Sequence, residues 1–182
     1  HLPVPLQGEH QALNCGLALA LLDQLKLQGF EIEDEKAIKG LAGVYLPGRM
    51  EMIRQDPRIL VDGAHNAASV QALIRAVGQH IPYDSMVMIF GCSAEKDIRG
   101  MMGQIATGAD KVIFTRAAKS PRSAKPKDLA EVYEQCSGRT AQVTDSLKEA
   151  VHIARSAVSR EDIICICGSF YLVGEAKVLL GN

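Results

Sequence analysis

Two hydrophobic rhythms divide this chain. Residues 9–28, "EHQALNCGLALALLDQLKLQ", repeat apolar side chains at intervals of three and four among strong helix formers, and Gly29 supplies a stop. A shorter helix is expected in "EDEKAIKGLAG", whose acids fall in the first turn and favour the helix dipole. In "YLPGRMEMI" the rhythm breaks at Pro47-Gly48 and an extended segment begins. From residue 49 onward, short apolar runs alternate with helical patterns. Strands are expected in "MEMI", "RILVDG", "SMVMIFG", "KVIFT", "AQVT" and "DIICICG". Helices are expected in "NAASVQALIRAVGQH", "DIRGMMGQIATG", "KPKDLAEVYEQ", "DSLKEAVHIARSAV" and "FYLVGEAKVLL".

The strands are β-branched and continuously apolar, as burial on both faces requires. Their alternation with helices predicts an α/β fold, a Rossmann-like three-layer sandwich around a mainly parallel, doubly wound sheet of about six strands. Residues 1–45 read as an all-helical appendage, and 46–182 as the α/β domain.

The totals add little that conflicts. The chain has 182 residues, 47% of them hydrophobic, enough for one packed domain and part of another. A net charge of −1 with interspersed signs leaves no broad basic footprint for nucleic acid. No apolar run nears the ~20 residues of a membrane helix. The five cysteines are scattered; Cys165 and Cys167 share one face of a strand, and buried inert thiols in a reducing cytoplasm are expected. The chain starts without methionine, close to a helix signal, so a fragment of a longer protein is expected.

In an open parallel sheet, ligands sit beyond the carboxyl ends of the strands. Four such ends carry small or polar residues: "DGAHN", "GCSAEKD", "TRAAKSPRS" and "GSFY". In "DGAHNAAS", Gly63 permits a tight turn, and Asn66 or Asp62 could simply cap the next helix. Capping explains one polar residue, not three; a ligand reading makes Asp62 an acceptor for hydroxyls and His65 a donor to an anion. Arg49 of "PGR" offers a planar fork that matches phosphate oxygens, against the alternative of a plain solvated turn. Ser169 could cap a helix or present its hydroxyl at the sheet edge. Asp97 reads as a cap, and "KSPRSAKP" as a basic loop that either closes over an anionic ligand or, the reading preferred, lies solvated on the surface. Neither G-x-x-x-x-G-K-[ST] nor G-x-G-x-x-G occurs, and no His/Cys/Asp spacing suits a metal. A hydrolase built on Ser169, His65 and Asp62 lacks the G-x-S-x-G elbow.

Taken in order, "GEHQALNCGLALALL", "LPGRMEMI", "ILVDGAHNAAS", "EKD", "PRSAKPKDLA" and "ICICGSFYLVGEAKVLL" resemble the end of the folylpolyglutamate synthase and bifunctional dihydrofolate synthase family, within the Mur ligase superfamily. The resemblance implies an ATP-dependent ligase. It would phosphorylate a folate or dihydropteroate carboxylate and join it to L-glutamate through the acyl phosphate. It implies that residues 1–45 are the helical end of a central ATPase domain plus linker, and 46–182 the C-terminal glutamate ligase domain. The P-loop and the Mg2+ ligands would lie in the chain's own N-terminal ATPase domain, so this stretch alone would be inactive.

Residue by residue, the resemblance implies that Asn14 lies beside the adenine, Arg49 reaches the ATP phosphates and Asp62 binds the ribose. It implies that His65 and Ser169 hold the incoming glutamate, and that the segment near residues 44–48 is a hinge. One position departs: Ala67 stands where the family usually has proline. The competing readings are a non-catalytic nucleotide- or partner-binding module and a small Ser/His hydrolase.

Overall fold

The computed structural model describes residues 4–181, which form two compact units, His1–Pro47 and Gly48–Asn182. The first holds α1 (Glu9–Leu27) and α2 (Asp34–Ala42). Lys26, near the end of α1, pairs with Asp34 in the first turn of α2 and lies 3.9 Å from Asp23. Leu13, Leu17, Leu21 and Leu25, spaced four apart along α1, are all exposed, and in that helix only Gln11 is buried.

The second unit runs β1 (Glu51–Gln55), β2 (Arg58–Val61), α3 (Ala67–His80), β3 (Met86–Phe90), α4 (Ile98–Gly108), β4 (Lys111–Phe114), α5 (Pro126–Ser137), β5 (Gln142–Val143), α6 (Leu147–Ala157), β6 (Ile163–Cys167) and α7 (Phe170–Leu180). Its six strands lie in the order β1-β2-β6-β3-β4-β5. All neighbours are parallel except β1 and β2, which form an antiparallel hairpin.

Alternation along each strand sorts side chains to the two faces. Met86, Met88 and Phe90 of β3, with Leu60, Cys165 and Cys167, pack against Val70, Leu73 and Val77 of α3, Met101 and Ile105 of α4, and Leu129 and Tyr133 of α5. Val87 and Ile89, with Ile59, Val61, Ile164 and Ile166, pack against α6 and α7. The result is the expected three-layer sandwich. Its layering follows from the path of the chain. The connections β2→β3→β4→β5 move one way across the sheet and keep α3, α4 and α5 on one face. The return from β5 to β6 reverses direction, and right-handed crossovers then carry α6 to the other face.

That reversal inserts β6 between β2 and β3. The helix leaving β6 therefore lies on one face, and those leaving β2 and β3 on the other. In open α/β sheets such a divergence of neighbouring connections is the place where a ligand crevice forms, at the carboxyl ends of the strands. The antiparallel β1 matters equally. Glu51, at its start, pairs with Val61, at the end of β2, so residues 48–50 arrive at the same carboxyl edge.

Candidate functional site

Four strand tips meet at this edge, and backbone bonds tie them together. Asp62 N–H donates to Ile166 O at 3.1 Å, Gly168 N–H to Ala64 O at 2.8 Å, and Gly91 N–H to Cys167 O at 3.2 Å. The tips are too close for side chains. A Cβ on Gly168, whose φ is 110°, would stand 2.5 Å from Gly91 O; one on Gly91 would stand 2.5 Å from Thr115 O.

Asp62 is 5% exposed at the end of β2. Its Oδ1 accepts from Ala64 N–H at 2.8 Å and its Oδ2 from Met50 N–H at 2.9 Å. The carboxylate thus shapes its own turn and holds the segment around Arg49, a structural task independent of any ligand. Gly63 differs from the sequence reading. Its φ is not left-handed, so the turn does not demand glycine. The demand comes from Phe170, whose ring occupies the space: a Cβ on Gly63 would collide with three carbons of that ring.

His65 is partly buried, and its Nδ1 lies 2.8 Å from Gly63 O. That bond requires the proton on Nδ1, so a neutral ring presents Nε2 as an acceptor and only the cationic ring presents it as a donor. Asn66 caps α3: its Oδ1 accepts from Ser69 N–H at 2.8 Å, while Ser69 Oγ accepts from the Asn66 N–H at 3.0 Å. Ser169 caps α7, accepting from Leu172 N–H at 3.2 Å. Among the described residues no hydrogen bond joins Ser169 to His65. Asp97 caps α4 through Gly100 N–H at 2.9 Å.

Arg49 sits on a sharp hook. Gly48 and Met50, on either side of it, have φ of 71° and 45°, the second strained for a residue with a side chain. Its guanidinium carbon stands 4.8 Å from the centroid of the Phe170 ring, and among the described residues no carboxylate or carbonyl accepts from it. Asn14 lies in the first unit, exposed on α1, with its Nδ2 donating to Gln11 Oε1 at 3.2 Å.

Further along the edge, the loops after β3 and β4 are stitched by Ala94 N–H to Arg122 O at 2.8 Å and Ala124 N–H to Cys92 O at 2.9 Å. Lys119, Arg122 and Lys125 are exposed there, as a surface loop implies. Burial pushes the Cys92 thiol up to about 12. The Cys165 side-chain hydrogen bond and then burial hold Cys167 well above the usual thiol range. Both thiols under the site are therefore neutral. Among the described residues no cluster of three His, Cys, Asp or Glu could hold a metal ion, and no helix is long and apolar enough to cross a membrane.

Sequence reasoning missed Phe170, Glu51 and Lys177. The spacing of Phe170, Val173 and Lys177 on one helix face was the available signal, masked because α7 is apolar nearly all round.

Residues 48–170 match the family of the Mur ligase glutamate ligase domain. A probable bifunctional folylpolyglutamate synthase/dihydropteroate synthase of Halobacterium salinarum is 33% identical over 175 residues, spanning 96% of this chain and 20% of the relative. A dihydrofolate synthase/folylpolyglutamate synthase of Mycobacterium tuberculosis is 30% identical over 98% of this chain and 40% of its own length. Among solved structures, M. tuberculosis folylpolyglutamate synthase complexed with ADP and AMPPCP superposes with a TM-score of 0.89 at 28% identity, over all of this chain and 42% of that one. A bifunctional folylpolyglutamate synthase/dihydrofolate synthase with Mn, AMPPNP and L-glutamate bound gives 0.79 at 25% identity, over 100% and 41%. The chain thus spans between 20% and 42% of the length of these relatives. With its sheet and most of its length matched, the chain belongs to the Mur ligase family and carries the glutamate ligase domain.

Proposed function

We propose that these residues form the nucleotide- and glutamate-binding part of an ATP-dependent ligase that joins L-glutamate to folate or dihydropteroate. In the reaction, a carboxylate oxygen of the acceptor attacks the γ-phosphorus of ATP and ADP leaves. The glutamate amine then attacks the acyl carbon of the acyl phosphate. A C–N bond forms, the C–O bond to phosphate breaks, and the amine gives up a proton. The observation that carries this reading is the Arg49 guanidinium, held at a topological switch point with its donors unclaimed by the described residues. Such a fork fits phosphate oxygens. Asp62 is assigned to the ribose hydroxyls, Asn14 to the adenine, and His65 and Ser169 to glutamate.

Mg2+ would neutralise phosphate charge in such a reaction. The described residues offer it no cluster of ligands, so no step is assigned to it here. The exposed leucine stripe of α1 supports a further protein surface packing there, which we assign to the ATPase domain of the same polypeptide. Against the hydrolase reading, among the described residues no hydrogen bond links Ser169 Oγ to the His65 ring.

The test uses the complete gene product with ATP, Mg2+, L-glutamate and either dihydropteroate or tetrahydrofolate, following ADP release and product mass. Glutamate-dependent ADP release with at least one acceptor is expected; its absence with both overturns the proposal. Arg49→Ala, Asp62→Ala and Asn14→Ala should raise the KM for ATP, by about tenfold for Arg49. His65→Ala and Ser169→Ala should act on the KM for glutamate. Thermal midpoints are measured alongside, because Ser169→Ala also removes a helix cap worth about 1 kcal/mol.

A further inference from the structure

The hook that carries Arg49 is gripped from two sides. From β2, Gly63 N–H donates to Gly48 O at 2.8 Å and Asp62 Oδ2 accepts from Met50 N–H at 2.9 Å. From α7, three residues spaced by three and four form one stripe, and all three reach the hook. Phe170 and Val173 lie against Gly48: a Cβ there would meet Val173 Cγ1 at 2.9 Å and the Phe170 ring at 3.3 Å. Lys177 Nζ donates to the two Glu51 carboxylate oxygens at 2.7 and 2.9 Å, and Glu51 Oε2 accepts from Gly48 N–H at 2.7 Å. The backbone of residues 48–51 is thereby fixed, which leaves the Arg49 side chain as the part still to be oriented.

We propose that Phe170 is a positioning residue for Arg49: its ring, seated on Gly63 and Gly48, orients the guanidinium while leaving its charge and its N–H donors available to an anion. The chemistry favours a ring over the usual partner. A carboxylate would orient the guanidinium by consuming its donors and neutralising it. An aromatic face attracts the cation through its quadrupole without supplying a counter-charge that would neutralise it. The ring can hold this position because Gly63 has no side chain, since any Cβ there would collide with it. The ordered guanidinium then meets an incoming phosphate with less freedom left to lose. This proposal rests on the reading that Arg49 grips the ATP phosphates.

The experiment is a double-mutant cycle on the complete gene product, reading KM for ATP and for glutamate. Phe170→Leu keeps apolar bulk but has no π face; Phe170→Met does the same with a different shape and is read in parallel. Each is expected to raise the KM for ATP about three- to tenfold, with little change for glutamate. Phe170→Tyr should restore the wild-type value. In an Arg49→Ala background, Phe170→Leu should add nothing. Equal effects of Phe170→Leu with and without Arg49, or effects spread over both substrates, would mean general support of the fold and overturn the proposal. So would wild-type KM values in both Leu and Met variants. If Arg49→Ala itself leaves the KM for ATP unchanged, the phosphate reading fails and this proposal falls with it. If Arg49→Ala acts but the Phe170 variants do not, only the positioning role fails.

Discussion

Gly63 shows how much can rest on the absence of one methyl group. As a sequence element it looked like a turn residue, yet its backbone is ordinary and its neighbour is aromatic. The contact spans the sheet edge from residue 63 to residue 170, and nothing local in "DGAHN" records it. Gly63→Ala is therefore expected to destabilise the protein by about 1–3 kcal/mol through overpacking, and to raise the KM for ATP by displacing the ring. Phe170→Ala in the same molecule should relieve the collision. Chemical unfolding of the single and double variants checks this; equal losses in both would show that the ring is not the cause. Asn66 was legible for the opposite reason: a cap acts within three residues, so its partner Ser69 lies inside the same short stretch. Ser169 is similar, since its cap bond to Leu172 is local. Any ligand role for it depends on what arrives from outside.

Elements were easier to read than contacts. The four inner strands β2, β3, β4 and β6 carry continuous apolar runs flanked by polar or glycine punctuation, and burial on both faces preserves that signature. The edge strands β1 (partly buried, with Glu51, Arg54 and Gln55) and β5 (both residues exposed) depart from the expected run because each has a neighbour on one side only. The direction of β1 was less visible. Only a few residues separate it from β2, too few for the crossover a parallel neighbour needs, and that spacing was the signal for a hairpin. The two edges of the sheet also divide their tasks. While the carboxyl edge gathers the site, Asp162 secures the amino edge. Its Oδ1 accepts from Ser85 N–H and Oγ at 3.0 and 2.8 Å, and its Oδ2 from Ser159 N–H and Oγ at 2.6 and 2.8 Å. The bond from the Ser159 backbone, with those from the Ser85 and Ser159 hydroxyls, lowers the carboxyl to about 2 from its usual 3.8. A lowered folded-state value means stability that is present above the unfolded value and lost as pH falls toward the folded one. Asp162→Ala should thus cost about 1 kcal/mol at neutral pH, allowing for solvent access, and almost nothing near pH 2. Urea unfolding of both proteins across that range provides the check; a penalty independent of pH would contradict it.

For the molecule as a whole, topology explains the location of the candidate site better than composition does. A net charge of −1 and an ordinary apolar fraction distinguish nothing. The reversal that places β6 between β2 and β3, with the hairpin that turns β1 around, brings together residues 48–50, 62–65, 91 and 168–170. The family was legible because several short motifs stood in the right order at the right separations. The second ring of support, from Phe170, Glu51 and Lys177, was not, because its partners are joined only by the fold.

Three of the five cysteines, Cys92, Cys165 and Cys167, are buried, whereas Cys15 and Cys136 are partly exposed. Cys165 and Cys167 lie on β6, at the middle of the sheet, and Cys92 follows β3 beside it. That arrangement makes the molecule its own clock. A thiol-specific reagent should mark Cys15 and Cys136 promptly and reach the other three only when the strands part. The slow phase of labelling, followed by mass, would then time the opening of the sheet without any engineered probe. Five thiols reacting at one rate would mean that the centre breathes as freely as the rim.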